Sequence, residues 1–206
     1  MSGIFVTFEG IEGCGKSTQL LMLVDWLRKN GYETVATREP GGTEMGEKIR
    51  AILQSGNRGD VFCIRAEILL FEASRAQHME EKILPALESG KIVLCDRFFD
   101  STVVYQGAAR GIDADIVKFL NVFASHGRSP DLTALIDVDV GACFKRIAAS
   151  NRRRDRIEQE DAIFFEKARN CYLKLAEEKR FFTVDGTASA EIIHEKIKDE
   201  FGRRFF

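Results

Sequence analysis

The chain is short of proline and cysteine and has almost no net charge. Three prolines in 206 residues, and no low-complexity stretch, argue against long linkers or disordered tails. Cys14, Cys63, Cys95, Cys143 and Cys171 are odd in number, and no two form a C-x-x-C pair. A cysteine metal or redox motif is therefore excluded, and reduced thiols in a cytosolic protein are the simplest reading. The formal net charge of −2 gives no overall basic field to hold nucleic acid or a membrane surface. Any anion site must come from local arginines and lysines. No apolar run is long enough to span a bilayer, and residues 1–5 lack the basic stretch and cleavage site of a leader, so a cytoplasmic location is expected. His78, His126 and His194 have no metal-ligand spacing and are expected at the surface or at caps.

The chain does hold 45% hydrophobic and 30% charged residues. That suits one compact α/β domain burying roughly 70% of its unfolded surface. Apolar β-rich runs at 4–9, 34–38, 92–96, 132–137 and 181–184 alternate with helical patterns. The helices are expected at 16–30, 44–55, 64–89, 114–124, 140–150, 162–178 and 191–201. Helical and strand spacing assigns most of the 16 phenylalanines to the core. This alternation predicts right-handed βαβ units and a parallel sheet covered on both faces. Ligands of such sheets sit beyond the carboxyl ends of the strands, here after Glu9, Arg38, Asp96 and Asp137.

Residues 10–18 read Gly-Ile-Glu-Gly-Cys-Gly-Lys-Ser-Thr, directly after the first apolar run. This is G-x-x-x-x-G-K-S between strand and helix, the phosphate-cradling P-loop. Its four specified positions arise by chance in roughly one chain of this length in a hundred. Gly10, Gly13 and Gly15 let backbone N–H groups approach phosphate oxygens, and the helix beginning at Lys16 adds its positive end. Lys16 reaches the β and γ phosphates and Ser17 offers a hydroxyl to Mg²⁺. Cys14 has no neighbouring base and reads as a small-residue position in the loop.

Other candidates lie at or near the later strand ends. Asp96 can hold a metal-bound water and Arg97 can clamp a phosphate, although Asp-Arg alone is also a common surface ion pair. Thr37-Arg-Glu-Pro-Gly-Gly-Thr43 is a plain turn or the wall of a second site. Phe71 and Arg75 share a helix face, so they either hold a nucleobase by stacking and hydrogen bonding or divide between core and surface. Thr102, Tyr105 and Gln106 form a second polar face that reads a base or sugar or faces solvent. Asn151-Arg-Arg-Arg-Asp-Arg-Ile-Glu158 is a solvated helix connection or a mobile lid.

Taken together and in order, these pieces resemble bacterial thymidylate kinases. The specific stretches are 8–18, 37–43, 70–75, 95–107, 110–112, 130–133 and 155–158, and the match runs on to Asp185-Gly-Thr187. The resemblance implies a three-layer P-loop kinase fold, with a five-stranded parallel sheet flanked by helices and a lid at about 151–159. It implies a cytosolic homodimer that moves the γ-phosphate of ATP to dTMP with Mg²⁺. Gly10, Ile11, Glu12, Gly13, Cys14, Gly15, Lys16, Ser17 and Thr18 would bind ATP, with Arg146 against the adenine, and Ser17 and Asp96 would hold the metal. Phe71 would stack on thymine and Arg75 would bind its carbonyl edge. Thr102 and Gln106 would contact the base, and Tyr105 would pack on the sugar. Arg97 would bind the acceptor phosphate, with Glu39, Pro40 and Arg50 lining that pocket and Glu12 near the sugar 3′-OH.

Cys14 stands where the family usually has Ala or Ser, and the loop carries no arginine. The resemblance therefore implies a catalytic arginine from the lid, with Arg156 first among the candidates and Arg153 second. A dianionic acceptor phosphate needs no general base. The task is electrostatic: Lys16, Arg97, the lid arginine and Mg²⁺ spread charge on the transferring group.

Two other readings remain at this stage. One is a kinase of the same fold acting on another nucleotide or a deoxynucleoside. The other is a P-loop regulatory ATPase, although the chain has neither N-K-x-D nor a strand ending in Asp-Glu.

Overall fold

The computed structural model describes residues 3–54, 63–150 and 156–206. Five strands, β1 (Ile4–Glu9), β2 (Thr34–Arg38), β3 (Ile92–Asp96), β4 (Leu132–Asp137) and β5 (Phe181–Asp185), form one sheet in the order β2-β3-β1-β4-β5. Every pairing is parallel. Both faces of the central strands are buried, which is why β1, β3 and β4 read as largely apolar runs, the buried Thr7 and Thr133 of β1 and β4 bonding to each other. The registers Phe8↔Asp96 and Arg38↔Asp96 bring the carboxyl ends of β1, β2 and β3 level.

Helix α1 (Lys16–Lys29) follows the P-loop and buries Leu20, Leu23, Val24 and Leu27 in the main core. Helix α2 is Glu44–Gln54, α3 is Ile64–His78 and α4 is Leu84–Glu88, with a π-helical turn at Met79–Ile83 joining the last two. The sequence predicts one α-helix over this stretch. Pro85 accounts for the difference: it has no N–H and its ring collides with the carbonyl four residues back, so the helix widens ahead of it. Helix α5 (Phe99–Thr102) continues into a second π-helical turn, Val103–Ala109.

Helix α6 is Ala114–Ala124, α7 is Val140–Ala149, α8 is Ala162–Leu175 and α9 is Ala190–Phe205. Asp113, Asp139, Asp161 and Ser189 start these four helices, each accepting a bond from a first-turn N–H. Helix α9 runs beyond the predicted end because Phe201 packs on Trp26 and Phe205, and Phe206 stacks on Tyr32. All five cysteines are free thiols. No helix among the described residues is long and apolar enough to cross a membrane.

Candidate active site

The P-loop turns at the carboxyl end of β1. Gly10, Gly13 and Gly15 all have positive φ. A Cβ on Gly10 would lie 2.5 Å from the Ile136 carbonyl, so both conformation and space require glycine there. Lys16 is buried and folds back over the loop, donating to the carbonyls of Gly10 at 3.0 Å and Ile11 at 2.9 Å. Cys14 is buried in the core beneath, as its small-residue role predicts. Ser17 is exposed, and its Oγ donates to Oδ2 of Asp96.

A groove lined by Gly13, Gly15, Lys16, Ser17, Thr18 and Arg146 opens over the loop. Arg146 reaches it from α7 and donates to the Gly186 carbonyl at 2.8 Å. Ile11 faces the core instead. Ser17 and Asp96 offer one hydroxyl and one carboxylate at the groove, a hard oxygen set. That set suits a hexacoordinate cation completing its shell with water and phosphate. Among the described residues no group of three or more His, Cys, Asp or Glu is placed so that it could hold a metal ion.

A second pocket adjoins the loop. Glu12, Glu39, Pro40, Arg50, Phe71, Arg75, Arg97, Thr102, Tyr105 and Gln106 all line it, together with Phe98, Ser101 and Ile157. Its empty volume is about 660 Å³. A wider cleft between α6 and α8, about 1270 Å³, contains none of the predicted site residues. Phe71 is half-buried at the pocket wall, whereas Arg75 is fully buried behind it.

Four bonds fix the Arg75 guanidinium: Glu39 at 2.8 Å, Glu72 at 2.5 Å, Asn121 at 3.0 Å and Thr102 at 3.0 Å. Burial alone would disfavour its charge, but Glu39 and Glu72 outweigh that and keep Arg75 protonated. Glu39 also lies 3.1 Å from Nδ1 of His78, whose Nε2 is 2.6 Å from Thr37 Oγ1. His78, expected at the surface or at a cap, is the last residue of α3 and is fully buried. Thr102, Tyr105 and Gln106 are buried as well, so their shared face looks into the pocket and not into solvent.

Arg97 joins the two halves. Its backbone is left-handed, φ 71°. Nη2 donates to Oε1 of Glu12 at 2.7 Å, and Nη1 donates to the Gly10 carbonyl at 3.1 Å. The guanidinium lies over the Tyr105 ring, 5.2 Å from its centroid, and the Tyr105 hydroxyl donates to the other Glu12 oxygen at 2.7 Å. Burial opposes the Arg97 charge, but Glu12 and, more weakly, Glu9 outweigh it and keep Arg97 protonated.

Arg156 sits at the far rim. Nη2 pairs with Glu67 at 2.6 Å, and Nε donates to the Leu53 carbonyl at 3.4 Å. Glu67 also accepts from Gln106 at 2.8 Å. In this arrangement Arg156 is held beside the second pocket and not over the P-loop. Arg153, the other lid candidate, lies outside the described residues.

The model of the family described as thymidylate kinase matches residues 8–197. The chain belongs to the thymidylate kinase family. It is 49% identical over 195 residues to the thymidylate kinase of Fervidobacterium nodosum, covering 94% of this chain and 96% of the relative. It is 46% identical over 199 residues to that of Halothermothrix orenii, covering 96% and 95%. The crystal structure of thymidylate kinase from Ehrlichia chaffeensis superposes with a TM-score of 0.78 at 31% identity, covering 98% and 99% of the two chains. The five-stranded parallel sheet matches that fold.

Sequence reasoning missed the residues behind the pocket. Glu9 reads in the sequence only as a strand end, yet it is fully buried and accepts from Phe98 N at 2.7 Å, Ser101 Oγ at 2.8 Å and Tyr172 OH at 2.7 Å. Burial, with the Asp100 carboxylate nearby, pushes the Glu9 carboxyl up to about 7, against the pull of Arg97 and the two hydroxyls. A carboxylate ending an otherwise apolar strand was the available signal. Glu67, Asn121 and Tyr172 had none. At the fourth strand end, Asp137 is taken up by a two-bond pair with Arg169 at 2.7 and 2.8 Å.

Proposed function

We propose that the chain transfers the γ-phosphoryl group of ATP to dTMP, giving ADP and dTDP, through the two adjoining sites just described. The observation that carries this reading is that ten residues assigned to the acceptor by family resemblance line one pocket, whose inner wall touches the P-loop.

In the mechanism, the loop N–H groups and Lys16 take the donor phosphates, so the Lys16 ammonium must exchange its loop carbonyls for phosphate oxygens. Arg146 covers the loop on the adenine side. Phe71 stacks on thymine, and Arg75 is held rigid by Glu39 and Glu72 to read the base edge. Arg97 orients the acceptor phosphate, with Glu12 beside the sugar 3′-OH. Tyr105 is pinned to Glu12 and packs on the sugar, where it disfavours a 2′-hydroxyl. The acceptor oxygen is already anionic, so no base is required.

Ser17 and Asp96 would hold Mg²⁺, which would supply charge neutralisation to the donor phosphates. An arginine from the lid completes the clamp, Arg156 after release from Glu67 or Arg153. Closure excludes water and suppresses hydrolysis.

A homodimer is part of this reading. Exposed apolar residues Met45 and Ile52 on α2, Leu69 on α3, and Ile116, Phe119 and Phe123 on α6 lie on helices that pack on one another, and they support a subunit contact. Five free thiols support action in the reducing cytoplasm. ATP is to be assayed against dTMP, dUMP, CMP, GMP and thymidine side by side. The reading expects dTMP to give the highest kcat/KM, and a better acceptor among the others would overturn it.

A further inference from the structure

Arg97 has a left-handed backbone, which disfavours a residue with a Cβ, so surrounding contacts must hold it there. Its Nη2 is committed to Glu12. The two hydrogens of Nη1 are shared among three acceptors, the Gly10 carbonyl at 3.1 Å, the Ser101 hydroxyl at 3.0 Å and the Tyr172 hydroxyl at 3.2 Å. Both hydroxyls donate to one oxygen of Glu9, at 2.8 Å and 2.7 Å. The direct gap from Nη1 to that oxygen is 3.9 Å, beyond hydrogen-bond reach. The two hydroxyls therefore share N–H donation from the arginine with the Gly10 carbonyl and give their own protons to the carboxylate. This is a hydroxyl-bridged ion pair.

Tyr172 belongs to α8, the helix that follows the lid segment, and is about three turns into it. Its ring packs edge-on against Tyr105, the residue beneath the Arg97 guanidinium. Glu9 is the last residue of β1, immediately before the P-loop, and its other oxygen accepts the Phe98 N–H next to Arg97. One hydroxyl thus ties together the strand that launches the donor loop, the arginine of the acceptor pocket and the helix behind the lid.

We propose that Tyr172 is a positioning residue for Arg97: its hydroxyl, bridging to Glu9 together with Ser101, fixes the guanidinium in the orientation that meets the acceptor phosphate. The proposal rests on the reading of Arg97 as the acceptor-phosphate clamp. It assigns Tyr172 no contact with substrate.

The test compares the affinities of dTMP and thymidine, which differ only in the phosphate, in the native protein and in Tyr172→Phe. The variant keeps the ring packing and deletes the bridge. The dTMP-over-thymidine preference should fall about fivefold or more, the size of one lost charge-assisted bond, with thymidine affinity and ATP KM unchanged. Ser101→Ala should move the ratio in the same direction, and carries the test alone if Tyr172→Phe does not fold. Adding Tyr172→Phe to Arg97→Ala should cost no further preference.

If Arg97→Ala itself leaves the ratio unchanged, the clamp reading fails. If Arg97→Ala abolishes the preference while Tyr172→Phe and Ser101→Ala leave it intact, the positioning role fails and the clamp stands. Equal weakening of dTMP and thymidine would also overturn the proposal, because it marks a purely structural role.

Discussion

Oε1 of Glu12 lies 2.7 Å from Nη2 of Arg97, so the P-loop and the adjoining pocket, which we propose take donor and acceptor, share one ion pair. The two residues are 85 positions apart in sequence. The parallel register of β1 and β3, which sets Phe8 beside Asp96, brings them together. Removing Glu12 frees Arg97 and the Tyr105 hydroxyl at once. Glu12→Ala should lower kcat/KM for dTMP by at least ~10-fold while ATP KM changes less than about twofold. Steady-state kinetics with each substrate varied in turn would show this, and a loss confined to ATP would place Glu12 on the donor side alone.

Phe71 is half-buried at the wall of the acceptor pocket. Phe71→Ala should weaken dTMP binding by about 1–3 kcal/mol, the order lost with a stacked base. Calorimetric titration measures it, and unchanged affinity would refute the stacking role.

Arg156 is held by Glu67, away from the P-loop, so catalysis by Arg156 requires that pair to open. Arg156→Ala should lower kcat by at least ~10²-fold with modest change in dTMP KM. Near-normal turnover would pass the role to Arg153 and leave Arg156 as a strut at the pocket rim.

Glu9 gives stability a pH dependence of known sign. Its carboxyl is raised from 4.5 to about 7, so the folded state binds the extra proton. The stability this supplies is complete below pH 4.5 and is lost as pH rises through about 7. Its size is on the order of 1–3 kcal/mol. Asp100, raised chiefly by burial, acts in the same sense, and His194, lowered by burial, acts in the opposite one. The measurement is therefore a difference. The Tm of Glu9→Gln relative to the native protein should rise between pH 5 and pH 8, and a pH-independent difference would contradict the raised carboxyl.

The sheet was legible because every buried strand is an apolar run ended by a polar residue. The strand ends Glu9, Arg38 and Asp96 fall where sequence placed them. The P-loop was legible because glycine, lysine and serine at fixed spacing have a single purpose. The acceptor pocket needed more than residue chemistry. Phe71 and Arg75 share a helix face by periodicity, but only resemblance said that the face meets a base.

Glu67, Asn121 and Tyr172 escaped notice, and the burial of His78 was not foreseen, for one reason. Each acts through a partner more than 20 positions away in the chain, and local pattern carries no signal for such pairs. The π-helical turn before Pro85 was missed because helical periodicity does not separate a 3.6-residue turn from a wider one.

The central claim is that two sites, joined through Glu12 and Arg97, perform transfer to an acceptor and not hydrolysis. The most direct measurement follows ADP formation from ATP and Mg²⁺ with and without dTMP. Negligible ADP is expected from ATP alone, and one dTDP for each ADP once dTMP is added. ADP formed at the same rate without dTMP, or with no dTDP to match it, would contradict that claim.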